Sequence, residues 1–145
     1  LASRADAGVL GEMFPVVLDG LLDRDSETAA FHPGLVTDPR DILMDKPHFG
    51  AFHGTGLEKE LRSRGVDTIV VSGIETNVCC ETTAREAMVR DFRVFFLSDG
   101  TTTAGVPGLS RDEVQRASLA TVGRFFAEVV TVNGMAERIQ APAAG

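Results

Sequence analysis

One stretch of the chain concentrates residues that can do covalent chemistry: Val70–Ala87, VVSGIETNVCCETTAREA. An apolar run ends at Gly73, a polar turn Glu75-Thr76-Asn77 follows, then a thiol at Cys79 and a segment of good helix formers. A buried strand that stops and restarts as a helix places its turn at the carboxyl edge of a sheet, where open α/β sheets bind ligands. A cysteine in the first turn of that helix feels unpaired backbone N–H groups and the positive end of the helix dipole. Both favour thiolate over thiol, so the position suits a nucleophile. The bland reading of the same residue is a buried structural thiol.

The elements needed to position this cysteine can be read along the chain. Residues 1–40 carry Gly8, Gly11, Pro15, Gly20, Pro33, Gly34 and Pro39, which leave room for one short apolar run, Phe14–Leu18. Asp41–Lys46 (DILMDK) reads as a strand closed by Pro47. Thr55-Gly-Leu-Glu58 has the form of a capping box opening a helix of about three turns that Gly65 stops. Asp67–Ser72 is a β-branched strand expected to be buried on both faces. Cys79–Arg90 is the next helix, with Thr76 or Asn77 as its N-cap. Arg93–Ser98 is a third strand, ending in Asp99-Gly100 and three threonines. Ser110-Arg-Asp-Glu113 is a second capping box, opening a helix with Val114, Ala117, Thr121 and Phe125 on one stripe. Glu128–Val132 is a fourth strand, and Met135–Ile139 forms a last helical turn before a loose Ala/Pro/Gly tail.

Alternating strands and helices at this spacing predict a single α/β domain: a parallel sheet with helices on both faces, a three-layer α/β/α arrangement of Rossmann-like type. The right-handed crossover rule brings the ends of the first three strands to one edge of the sheet, so Lys46, Cys79 and Asp99 are candidates to lie near one another. Asp99 reads as a turn or helix-capping residue rather than an acid of the site.

Composition sets limits on function. The 145 residues suffice for one domain with a real core, and 43% hydrophobic with 24% charged residues is ordinary for a globular protein. A net charge of −7 without a basic cluster argues against nucleic acid or an anionic membrane surface as partner. There is no apolar run of membrane-span length and no signal-peptide pattern, which predicts a cytoplasmic protein. Cys79 and Cys80 are sequence neighbours, a poor disulfide framework, and fit reduced thiols. His32, His48 and His53 lack metal-site spacing, so no metal and no cofactor is expected.

Two segments together resemble a known superfamily. SGIETNVCCETTAREA resembles the cysteine signature of the isochorismatase-like hydrolases, which include nicotinamidase, N-carbamoylsarcosine amidohydrolase and ureidoacrylate amidohydrolase. DKPHFGAFHGTGLEKELRSRGVDTIVVSG resembles the same superfamily's lysine segment, and the match runs from about Asp41 to Val132. The resemblance implies an isochorismatase-like fold and a Cys–Lys–Asp triad in which Cys79 is the nucleophile and Lys46 the catalytic lysine. Cys80 stands where the superfamily usually has valine, a small apolar inward position. A cis peptide is implied at Ile74–Glu75, with the backbone N–H groups of Glu75 and Cys79 forming an oxyanion hole. Phe49, Phe52, His53 and Thr76 are candidate substrate-pocket residues, and the two phenylalanines and His53 fit packing equally well. Glu75 either recognises a cationic or amide-bearing substrate or points to solvent.

The aspartate departs from the pattern. Asp19, at the end of FPVVLDG, leaves too little chain before Lys46 for a helix and a second strand. The expectation is that this sequence lacks the superfamily's first strand and helix, with the triad aspartate upstream of Leu1. The nicotinamidase branch also uses a metal whose ligands lie between that first strand and the lysine segment. The resemblance thus implies a cysteine-dependent hydrolase of a small carboxamide, ureido or carbamoyl compound, working as a homo-oligomer, a dimer or tetramer. Alternatives are an inactive isochorismatase-like module, a vinyl-ether hydrolase of isochorismatase type, and a redox-responsive pair at Cys79 and Cys80.

Overall fold

The computed structural model describes residues 7–141. They divide into two compact units: residues up to His48 together with His53–Thr55, and Phe49–Phe52 together with everything from Gly56 onward.

The second unit is an α/β body. Three parallel strands, β1 (Thr68–Ile74), β2 (Arg93–Thr102) and β3 (Glu128–Val130), form a sheet in the order β1-β2-β3. Helices α3 (Glu81–Met88) and α4 (Arg111–Phe125) connect them, and α5 (Val132–Gln140) follows β3. Period-two alternation decides which side chains face which layer. Val71 of β1, with Val94 and Phe96 of β2, meets Cys80, Ala84 and Ala87 from the β1–α3 segment and Val122 of α4. Phe95, one residue out of phase, instead takes the Arg138 guanidinium of α5 over its ring, 5.4 Å from the centroid.

Local chemistry explains the helix boundaries. The α4 capping box forms in both directions, with Ser110 accepting from the Glu113 N–H while the Glu113 carboxylate accepts from the Ser110 N–H. Helix α2 (Leu57–Ser63) ends in a Schellman motif: Val66 N–H donates to the Leu61 carbonyl and Gly65 N–H to that of Arg62, with Gly65 at φ 68°. That positive φ requires glycine or a strained substitute.

Several sequence expectations are corrected. Asp41–Lys46 is not a strand, because a strand needs a ladder and no described segment pairs with it. Gly56 rather than Thr55 occupies the N-cap of α2, and the helix has seven residues rather than three turns. β1 is an edge strand among the described residues, with Val70 and Ile74 exposed, so it is not buried on both faces. The buried stripe of α4 is Val114, Ser118 and Val122, in strict i+4 succession, and Phe125 is exposed. The final helix starts earlier than expected, at Val132, with Thr131 accepting from Gly134 N–H as its cap. The tail beyond Ala141 lies outside the described residues.

The first unit, taken by itself, contains α1 (Gly8–Met13) and two short 3₁₀ turns, Pro15–Asp19 and Glu27–Ala29. No strand occurs in it among the described residues.

Candidate active site

The segment after β1 does not pass directly into an α-helix. Ile74–Glu75 is a cis peptide, Glu75 is extended, and Thr76–Cys80 forms a π-helical turn in which Glu81 N–H reaches the Thr76 carbonyl. α3 then begins at Glu81, so neither Thr76 nor Asn77 acts as a side-chain N-cap. The wider turn separates the fates of the adjacent cysteines. Cys80 is 4% exposed, packs in the core and directs its Sγ toward the Ser72 carbonyl at 3.7 Å. Cys79 is only half-buried, at the surface of the turn, and neither cysteine is in a disulfide.

Three groups of bonds hold the turn. The Glu75 carbonyl accepts from the N–H groups of Val78 (3.2 Å) and Cys80 (3.1 Å). Thr83 donates to the Cys79 carbonyl at 2.7 Å and accepts from Ala51 N–H at 3.1 Å. Asn77 Oδ1 accepts from the hydroxyl of Thr103, just past the end of β2. The Thr76 hydroxyl is fully buried and has no hydrogen-bond partner among the described residues.

A bulge in β2 delivers Thr103 to this position. Between the pairs Val71↔Phe96 and Gly73↔Thr101, β1 advances two residues and β2 five. The extra loop, Leu97–Gly100, is tied down on all sides. Thr101 donates to the Leu97 carbonyl at 3.0 Å, and Gln115 Nε2 of α4 reaches the carbonyls of Ser98 and Thr101 at 3.3 Å each. Asp99 accepts from Val132 N–H at 2.7 Å, which makes it a helix-end anchor for α5. Bulges of this kind bend a strand and re-aim the residues beyond them.

The remaining sequence candidates separate by burial. Phe52 is a core residue, its ring 5.5 Å from Phe92 and its N–H bonded to Glu86 Oε2 at 2.9 Å. Thr76 is sealed at 0% exposure, whereas Phe49 keeps exposed surface and Glu75 is half-buried beside the turn. In the first unit, Lys46 is exposed and its Nζ donates to the His48 carbonyl at 2.9 Å. There, too, the His48 and His53 rings lie 5.0 Å apart. Asp19 ends an exposed 3₁₀ turn in that unit. No group of three or more His, Cys, Asp or Glu that could hold a metal occurs among the described residues. A two-histidine pair by itself falls short of a zinc or iron donor set.

Thr83, Glu86, Thr103 and Gln115 were not singled out from the sequence. Thr103 had one visible signal, a run of three threonines directly after a strand.

Comparison with known proteins fits this arrangement. The family described as Isochorismatase domain matches residues 9–134. The chain is 41% identical over 130 residues to Nicotinamidase 3 of Arabidopsis thaliana, covering 88% of this chain and 61% of that protein. It is 38% identical over 122 residues to the ureidoacrylate amidohydrolase RutB of Methylobacterium radiotolerans, covering 84% and 45% respectively. Among solved structures, a cysteine hydrolase from Pseudomonas syringae pv. phaseolicola superposes with a TM-score of 0.89 at 38% identity, covering 93% of this chain and 65% of that one. The chain thus spans roughly half to two-thirds of the length of these relatives.

Proposed function

Since the chain belongs to the isochorismatase family, we propose that it forms the cysteine-bearing part of an amidohydrolase, one that cleaves a small carboxamide, ureido or carbamoyl compound through a thioester. The observation that carries this reading is the placement of Cys79. It is a half-exposed thiol in a π-helical turn at the carboxyl end of a parallel strand, its own carbonyl held by the Thr83 hydroxyl, while its neighbour Cys80 packs in the core. The two relatives named as acting on small amides, a nicotinamidase and a ureidoacrylate amidohydrolase, give the substrate class its outline.

The parts then combine into a reaction. The Cys79 thiolate attacks the carbonyl carbon, and the thiol's proton passes to the family's aspartate. Backbone N–H groups of Glu75 and Cys79 stabilise the oxyanion. The aspartate returns the proton to the leaving nitrogen, the C–N bond breaks, and a thioester remains. Water then attacks the thioester, releasing the acid and restoring the thiol. Lys46 supplies a cation that favours the thiolate, effective only within about 4–6 Å of the sulfur. A crystal structure of the oligomer that put Nζ well beyond that range would remove Lys46 from the scheme. Phe49 and His53, both exposed, keep surface for a ligand, and Glu75 offers a carboxylate for a cationic or amide group.

Ammonia release from nicotinamide, ureidoacrylate and a panel of related amides tests the activity. Turnover lost in Cys79→Ala and kept in Cys80→Ala is expected; equal turnover in wild type and Cys79→Ala refutes the nucleophile. No helix among the described residues is long and apolar enough to cross a membrane. Two adjacent cysteines that form no disulfide support a reducing, cytoplasmic setting. The exposed apolar side chains of edge strand β1, Val70 and Ile74, support association into a dimer or tetramer. Light scattering on the purified chain checks that stoichiometry.

A further inference from the structure

We propose that Thr103 is a positioning residue for the nucleophile: through Asn77 it fixes the turn that aims the Cys79 thiol. The inference rests on Cys79 being the attacking group. Of the bonds that hold the turn, those from Val78, Cys80 and Thr83 are local, made within eight residues of Glu75. The Thr103–Asn77 bond spans 26 positions and ties the turn to a different strand.

Its geometry is set from outside the turn. The ladder between β1 and β2 ends at Ile74↔Thr102, so Thr103 is the first residue past the sheet, and the sheet does not need its hydroxyl. The Leu97–Gly100 bulge, clamped by Gln115 of α4 and by Asp99 at the start of α5, decides where that hydroxyl stands. Thr103 is itself buried, and its other acceptor is the adjacent Ala104 carbonyl at 3.0 Å. Removing that hydroxyl leaves Asn77 Oδ1, in a part-buried site, without this donor, and losing a partner there is costly. Two residues beyond Asn77 is Cys79. A chain of contacts therefore runs from α4 and α5 through the bulge to Thr103 and Asn77, two positions before the nucleophile, and displacing a reacting atom by even a fraction of an ångström has a kinetic cost.

The test measures the thiol directly, and Cys80 serves as an internal reporter of the fold. Wild type, Thr103→Val, Thr103→Ser and Asn77→Ala are alkylated with iodoacetamide from pH 6 to 9, with peptide mapping to separate the two cysteines. Thr103→Val is expected to slow Cys79 by about fivefold, the factor corresponding to one ordinary hydrogen bond. Cys80 should stay unreactive, and Thr103→Ser should return the Cys79 rate to within about twofold of wild type. A Cys79 rate in Thr103→Val that is unchanged or faster, with Cys80 silent, overturns the proposal, as does a Thr103→Ser variant as slow as the valine. Should Thr103→Val open the fold, seen as Cys80 alkylation, Asn77→Ala carries the test with the same expectation. Loss of the fold in both variants would make the pair merely structural and overturn the assignment. Alkylation rates need no turnover, so this result is separable from the Cys79→Ala assay that decides the nucleophile itself.

Discussion

The α/β body and the N-terminal stretch dispose of their apolar side chains in opposite ways. In the body Phe96, Val122, Ala84 and Ala87 are sealed completely, and the three strands with helices α2, α3 and α4 contribute to one shared cluster. In the stretch Met13, Phe31, Leu35 and Val36 stay exposed, Val36 to 90%. Short-range bonds close the turns there instead. Ser26 accepts from Ala29 N–H, His32 Nδ1 from Gly34 N–H, and Asp38 takes the Arg40 guanidinium. Such bonds shape a turn, but only burial makes an element that resists opening.

The sharpest form of this contrast is chemical. Cys79→Ala should reduce ammonia release by on the order of a thousandfold or more, since a nucleophile has no substitute. Asp19→Asn, in the exposed 3₁₀ turn of the stretch, should leave turnover within about twofold, the scale of a surface change. If Asp19→Asn proved as damaging as Cys79→Ala, the stretch would share in the chemistry and the division between the regions would fail.

Stability gives the next test. Phe96→Ala empties a fully buried site between the sheet and its helices and should cost about 3–5 kcal/mol in urea unfolding. Val36→Ala should cost no more than about 0.5 kcal/mol. A Val36→Ala cost near that of Phe96→Ala would mean that the stretch buries this residue in solution.

These differences also explain what the sequence made legible. β2, the α4 capping box and the Gly65 stop were readable because each depends on neighbours in the chain: a short apolar, Phe-rich run, a Ser-x-x-Glu pattern, a glycine after a helix. The cysteine turn could be located but not its shape, because a π-turn leaves no spacing different from the first turn of an α-helix. Asp41–Lys46 has strand-like composition yet no ladder, and pairing is a property of two segments. The contacts that orient the site were the least legible. Gln115 to the bulge, Thr103 to Asn77 and Ala51 to Thr83 join residues far apart in sequence, and none of these side chains is unusual where it stands.

Helix caps offer a finer comparison, because the same device occurs in both regions. Ser110→Ala removes a cap from a fifteen-residue helix integral to the body and should lower global stability by about 1 kcal/mol. Ser26→Ala removes the same kind of bond from a three-residue turn and should leave the global unfolding midpoint unmoved. A cost of the Ser110→Ala size at Ser26 would couple that turn to the cooperative core.

The smallest effect concerns pH. Hydrogen bonds from the Ser110 hydroxyl and backbone N–H hold the Glu113 carboxyl below its ordinary value, and the Arg40 side chain and backbone N–H do the same for Asp38. A depressed carboxylate pKa means that the folded state binds its proton less readily than the unfolded chain. The resulting stabilisation is present above the unfolded value, about 4.3 for glutamate, and is lost as pH falls through the lower folded value. The gap in melting temperature between wild type and Glu113→Gln should therefore be widest near neutral pH and close as the solution is acidified below about pH 4.3. Because Glu113 is fully exposed, added salt should narrow that gap at neutral pH as well. Asp38→Asn should show no such gap at any pH, since its ion pair ties residues only two apart in a stretch outside the buried cluster. A pH-dependent gap for Asp38→Asn equal to that for Glu113→Gln would show that the stretch unfolds together with the body, which the burial pattern alone does not predict.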